Sequence, residues 1–131
     1  MSHKKMTKKI LLVDDERIVI KSITALLEKE GYQVESAGCA EEAMAKIKSN
    51  AFSLLICDIR LLGKNGIELV KEIRGYLESA GKPLIPEILI TGYANIDCYQ
   101  EASGLRVSAY IYKPFDNYDL ILAVKKALKT G

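Results

Sequence analysis

Four apolar runs in this chain each stop at a polar residue. Ile10-Leu11-Leu12-Val13 is followed by Asp14 and Asp15, and Leu54-Leu55-Ile56-Cys57 by Asp58. Ile88-Leu89-Ile90 is followed by Thr91, and Ala109-Tyr110-Ile111-Tyr112 by Lys113 and Pro114. Short continuous apolar runs are the pattern of strands covered on both faces. If these runs are parallel strands of one sheet, all four stops lie at its carboxyl edge, where open α/β sheets bind ligands. Three carboxylates, a hydroxyl and an ammonium would then converge on one spot.

The stretches between the runs carry helical spacing. Residues 17–30 place Ile20, Ile23, Leu26 and Leu27 on one face, and Gly31 is a natural stop. Residues 32–37 read as a second strand, and 40–48 as a helix with Ala43, Met44 and Ile47 inward. A third strand over 52–57 leads into a loop over 59–66 containing Gly63, Asn65 and Gly66. Residues 67–77 form a third helix, with Ile67, Val70, Ile73 and Leu77 inward. Gly81, Pro83 and Pro86 precede a strand over 87–90, and a shorter helix is expected over 96–102. The fifth strand spans 107–112. Asp116 or Asn117 caps a last helix to Lys129, with Leu120, Ile121, Val124 and Leu128 as its stripe.

Five β-α units with short connections predict an α/β, three-layer flavodoxin-like (βα)5 domain. Its parallel five-stranded sheet is expected in the order 2-1-3-4-5, which sets strand one beside strand three. Asp14, Asp15 and Asp58 become neighbours in that order. No repeat or linker interrupts the chain, so 1–131 reads as a single domain. Its core covers about 8–129, after a basic N-terminal tail over 1–7.

Composition removes several function classes. A net charge of +2 is too small to argue for direct nucleic-acid binding. No apolar stretch approaches the ~20 residues of a membrane span, and the apolar run near the N-terminus ends at Asp14-Asp15, unlike a signal peptide. Cys39, Cys57 and Cys98 form no CxxC pair, which fits reduced thiols and a cytoplasmic setting. His3 is the only histidine and lies in the tail, which disfavours histidine catalysis and most zinc sites.

Adjacent carboxylates repel unless something neutralises them. Oxygen-only donors suit Mg2+, which accepts one or two carboxylates and a phosphate. Lys113 adds a fixed positive charge, so Asp58 can be an ionised nucleophile and phosphoryl acceptor. Thr91 could hydrogen-bond a phosphoryl oxygen. Taken singly, each residue has an ordinary reading: Asp14-Asp15-Glu16 as a helix start, Asp58 and Thr91-Gly92 as turns, Lys113 as a surface lysine. Together these require four unrelated coincidences on one sheet edge.

The set also resembles a known family. Ile-Leu-Leu-Val-Asp14-Asp15-Glu16, Asp58 with Gly66 eight positions on, Thr91-Gly92 and Lys113-Pro114 resemble the receiver domain of two-component response regulators, of the chemotaxis-regulator type. The resemblance covers about residues 8–129. It implies a phosphoacceptor signalling switch rather than an enzyme with a released product, loaded by a histidine kinase or a phosphotransfer protein. By position, Asp58 is the phosphoacceptor. Asp15 binds Mg2+ directly, Asp14 mostly through water, and the Arg60 backbone carbonyl completes the protein ligands with Asp58. Thr91 and Lys113 contact the phosphoryl group, and Tyr110 matches the family's aromatic switch. The signalling surface is the face of the fourth helix, fifth strand and fifth helix.

Departures from the pattern are informative. The family usually has a proline where this chain has Leu62. Arg60 and Tyr93 occupy positions that tune dephosphorylation, and both are large, so together they are expected to screen the acyl phosphate from water. Tyr93, Tyr99, Tyr110, Tyr112 and Tyr118 cluster in the later part of the chain and suit an interface with a downstream protein target. A homodimer is among the assemblies this allows. A stand-alone receiver and a piece of a longer regulator or hybrid kinase both remain open. The rival readings are a receiver-like scaffold that is never phosphorylated, and a flavodoxin-like cofactor binder or phosphatase. The last lacks a glycine-rich loop after strand one and a second aspartate two positions after Asp58.

Overall fold

The computed structural model describes residues 7–61, 64–92 and 104–130. Its main sheet has strands β1 (Lys9–Val13), β2 (Gln33–Ala37), β3 (Leu54–Asp58), β4 (Glu87–Thr91) and β5 (Ala109–Tyr112). The order is 2-1-3-4-5 with every neighbouring pair parallel, as the alternating pattern predicted. Helices α1 (Arg17–Lys29), α2 (Ala40–Ser49) and α3 (Gly66–Ser79) and a C-terminal helix (Asn117–Thr130) cover its two faces.

The continuous apolar runs sit where both faces are covered. Every residue of β3 and β4 is buried, whereas the edge strands β2 and β5 are mixed. Side chains alternate across the sheet because the strand period is two. Leu11, Val13, Leu55, Cys57 and Leu89 pack with Ala43 and Ile47 of α2 and Val70 and Ile73 of α3. Ile10, Leu12, Ile56, Ile88 and Ile90 pack on the other face, with Ile23 and Leu27 of α1 and Leu120 and Val124 of the C-terminal helix.

Local signals end the helices as expected. Gly31 takes φ +95°, a left-handed conformation that glycine adopts without steric cost, just after α1. The Asn65 side chain caps α3 by accepting from the Glu68 amide at 2.8 Å. Asp116 accepts from the Tyr118 amide at 3.1 Å at the start of the C-terminal helix.

Several elements differ from the sequence reading by one or two residues at their ends, among them the second strand from Gln33, the third from Leu54, α3 over Gly66–Ser79 and β4 to Thr91. The third strand runs to Asp58 itself, because parallel pairing continues to Asp58 opposite Ile90. The expected loop over 59–66 contains a small antiparallel ribbon, Arg60–Leu61 against Lys64–Asn65. The fifth strand starts at Ala109, after Arg106 turns the backbone with φ 57°. The buried stripe of the C-terminal helix is Leu120, Val124 and Ala127, with Ile121 and Leu128 only partly covered. Periodicity locates a stripe only to within a residue, and packing on β3 and β4 selects its centre. His3, Leu62, Gly63, Tyr93, Cys98, Tyr99 and the helix expected over 96–102 lie outside the described residues.

Gly66 is the tightest point of the fold near the sheet edge. Its amide donates to the Ile59 carbonyl at 2.6 Å. A Cβ there would overlap the Asp58 carbonyl and press on the Cys57 sulfur. Gly75 lies on the same helix with open space around it. Gly66→Ala is therefore expected to destabilise by about 2–3 kcal/mol through overpacking, and Gly75→Ala to stabilise by about 0.5–1 kcal/mol through helix propensity. Urea unfolding of the two variants beside the parent chain checks both signs.

Candidate functional site

The carboxyl ends of β1, β3 and β4 and the residue after β5 bring the polar stops together. Asp14, Asp58 and Thr91 are buried, while Asp15 is exposed one position beyond Asp14. Backbone bonds continue past the strand ends and hold these positions. The Asp14 amide donates to the Ala37 carbonyl, the Ile59 amide to Ile90, and the Lys113 amide to Thr91. The Lys113–Pro114 peptide is cis.

Each buried carboxylate divides its oxygens between two jobs. One oxygen of Asp14 accepts from the Glu16 amide at 2.9 Å, and one of Asp58 from the Arg60 amide at 2.8 Å. These local turns orient the side chains. The other oxygens face Lys113, whose Nζ lies 2.6 Å from Asp58 Oδ2 and 3.3 Å from Asp14 Oδ2. One ammonium thus serves two buried carboxylates whose sequence positions are 99 and 55 residues from it.

That balance leaves the site short of positive charge. Burial pushes Asp14 up to about 6, and the charge and shared hydrogen bond of Asp58 add to the rise. The Glu16 amide and the Lys113 charge pull the other way without cancelling it. Burial pulls the Lys113 ammonium down, but its bonds and attraction to Asp58 and Asp14 win and hold it above its ordinary value. Cys57 is pushed far up, first by burial and then by both aspartates, so its thiol stays protonated. Its Sγ lies 3.2 Å from the Asp58 carbonyl.

The donor set fits a hard divalent cation. Carboxylate oxygens of Asp14, Asp15 and Glu16 lie within 4.8 Å of one another. All donors are oxygen, as Mg2+ prefers, and a cation there would relieve the burial that raises Asp14. Glu16 is an addition to the residues picked out from sequence. Its place in Asp14-Asp15-Glu16 is visible both as a helix start and in the family resemblance, but neither gives it a donor role. Asp15, Glu16, Asp58, Arg60, Leu61, Gly92 and Lys113 line an open cleft of about 420 Å³. A larger groove of about 850 Å³ runs along Cys39, Met44, Lys48 and Tyr76 of the α2 and α3 side, away from these strand ends.

The remaining candidates are placed as follows. Arg60 is exposed and flanks Asp58 on the cleft wall. Tyr110 packs partly buried against the core, with its hydroxyl shielded from solvent and its ring centroid 5.0 Å from that of Tyr112. Tyr112 and Tyr118 are exposed beside it in sequence. No described helix is long and apolar enough to cross a membrane.

Comparison with known proteins agrees with this geometry. A family model described as the response regulator receiver domain matches residues 10–125. The chain is 35% identical over 119 residues to the transcriptional regulatory protein ZraR of Klebsiella oxytoca, covering 91% of this chain and 26% of that protein. It is 35% identical over 123 residues to the transcriptional regulatory protein YvrH of Bacillus subtilis, covering 92% and 48%. The chain thus spans about a quarter to a half of the length of these relatives. A CheY-like response regulator receiver domain protein from Methanospirillum hungatei superposes with TM-score 0.86 at 34% identity, covering 95% of each chain. The chemotaxis protein CheY4 of Vibrio cholerae superposes with TM-score 0.83 at 26% identity, covering 93% of this chain and 99% of that one.

The raised Asp14 pKa has a stability consequence with a definite sign. A carboxyl that titrates near 6 when folded, against 3.8 ordinarily, binds its proton more tightly in the native state. Its contribution to stability is then intact below about pH 4 and lost as pH rises toward 6. In metal-free buffer, Asp14→Asn is expected to match the parent near pH 4 and exceed it by about 1–3 kcal/mol at pH 7. Chemical denaturation at the two pH values measures the difference.

Proposed function

Because the chain belongs to the response regulator receiver domain family of two-component systems, we propose that Asp58 accepts a phosphoryl group from a phosphohistidine donor. The observation that carries this reading is the Lys113 ammonium 2.6 Å from Asp58 and 3.3 Å from Asp14, the latter one of three carboxylates whose oxygens lie within 4.8 Å of one another. Receiver domains are regulatory modules, and the only chemistry proposed here is the chain's own phosphorylation and dephosphorylation.

The Asp58 oxygen attacks phosphorus as the bond from phosphorus to the donor imidazole breaks. The imidazole leaves with that electron pair, and Asp58 becomes an acyl phosphate. Such transfer needs positioning and charge neutralisation more than covalent participation. The Arg60 amide and Lys113 orient the carboxylate from two sides, and Lys113 can follow the negative charge onto the phosphoryl oxygens. The Thr91 hydroxyl, at the end of β4, would donate to one of them. Asp14, Asp15, Asp58 and the Arg60 carbonyl would hold Mg2+, with Glu16 at the rim. When bound, the ion supplies further positive charge toward the phosphoryl oxygens.

The signal would then pass from Thr91 to Tyr110 on the neighbouring strand, biasing a two-state equilibrium of the outer face. The exposed Tyr112 and Tyr118 suit a protein target on that face. The domain is proposed to comprise residues 8–129, paired with a histidine kinase or phosphotransfer protein. Arg60, on the cleft wall, is proposed to shield the acyl phosphate together with Tyr93.

Acetyl phosphate with Mg2+ is expected to add one phosphoryl mass to the intact chain and none to Asp58→Asn. An unchanged parent mass would favour a scaffold that is never phosphorylated. Arg60→Asn and Tyr93→Ala are each expected to shorten the half-life of the phosphorylated form several-fold. Decay followed by mass after removal of the donor checks this, and unchanged decay in both variants removes the screen.

A further inference from the structure

Glu87 is a carboxylate inside a buried strand. It opens β4, is 4% exposed, and is followed by Ile88, Leu89 and Ile90. Arg74 of α3 neutralises it with a two-pronged contact, Nε to Oε2 at 2.7 Å and Nη2 to Oε1 at 2.7 Å. The third prong, Nη1, donates to the Leu105 carbonyl at 2.8 Å. The Glu87 carbonyl accepts from the Ser108 amide at 2.8 Å. One residue of β4 therefore fastens the entry of β5 twice, by its backbone and through Arg74. Arg106, between those two fastenings, turns the backbone with φ 57°.

What β5 carries gives this arrangement its interest. Among the described strands it is one of the two edge strands of the sheet and pairs only with β4. Lys113, which bridges Asp58 and Asp14, follows directly at its other end. An edge strand held by a single ladder has less to prevent it shifting than an inner strand. A partly buried ion pair, with the Arg74 side chain 25% exposed, is also weak evidence of stabilisation, since apolar residues of similar volume often serve stability as well. The planar fork of arginine, by contrast, sets geometry that a point charge does not.

We propose that Arg74 is a positioning residue. By clamping Glu87 and the Leu105 carbonyl together, it sets the placement of β5 against β4, and with it the reach of Lys113 to Asp58. Only the phosphorylation readout below rests on the function proposed above. Lys113 reactivity does not.

The test uses the full chain with Arg74→Met/Glu87→Leu, which replaces the pair by apolar groups, and Arg74→Lys, which keeps the charge without the fork. Three quantities are measured: amide exchange over residues 105–112, acylation of Lys113 by an amine-reactive ester, and labelling of Asp58 by acetyl phosphate with Mg2+. Both variants are expected to melt cooperatively, exchange those amides at least tenfold faster and acylate Lys113 at least threefold faster. Labelling is expected to slow at least threefold. Lys113 acylation within twofold of the parent in a folded variant overturns the proposal, even if exchange accelerates, because Arg74 would then be a structural pin alone. Should the double variant not fold, Arg74→Lys decides by the same readouts. A parent chain that acetyl phosphate does not label defeats the proposed function, while Lys113 acylation still decides the role of Arg74.

Discussion

Two buried carboxylates share one ammonium, and the working end of the sheet depends on that contact. Asp14 and Asp58 come from the ends of β1 and β3, which pair in the middle of the sheet, where burying a carboxylate without a partner is costly. Lys113 reaches both from the end of an edge strand. The contact therefore ties the sheet's centre to its periphery. It is also incomplete, since Asp14 remains displaced upward. A site left short of positive charge is one that the proposed Mg2+ would suit.

The fold holds this unfavourable cluster at the edge of a sheet whose inner strands are packed on both faces. Strands β3 and β4 are wholly buried, and Asp14, Asp58, Thr91 and Lys113 sit at, or one step beyond, the end of a strand. Gly66 lets α3 start directly against the Asp58 backbone, which leaves no room for that turn to relax. The Arg74–Glu87 pair fastens the opposite end of β5. The repulsion between these carboxylates thus sits between fixed points, as the proposed switch requires.

Much of the fold was legible because the two periodicities are strong here. Uninterrupted apolar runs identified the inner strands. The α1 stripe held the buried Ile23 and Leu27 beside the partly covered Ile20 and Leu26, and the α3 stripe held the buried Ile67, Val70, Ile73 and Leu77 without the equally buried Leu69. The ribbon at 60–65 was not legible, since two-residue strands have no periodicity to read. Glu87 passed as a strand residue without comment. Nothing local marks a glutamate as buried, because its neutralising partner is 13 positions away on another element. Glu16 stands out for a different reason: an acidic residue beside a helix start is ordinary, and only the convergence of carboxylate oxygens makes it a candidate donor.

By itself the sequence determined the class of fold, the strand order and which residues would meet at the sheet edge. Those follow from hydrophobic burial and right-handed connection, which act on pattern alone. Tertiary structure decided how the charges are shared: which oxygen of each aspartate faces its own turn and which faces Lys113, how far Asp14 is displaced, and that Arg74 reaches both Glu87 and Leu105. Electrostatic energies depend on distances of a few ångströms and on local burial. Neither quantity exists until residues far apart in the chain have been packed together.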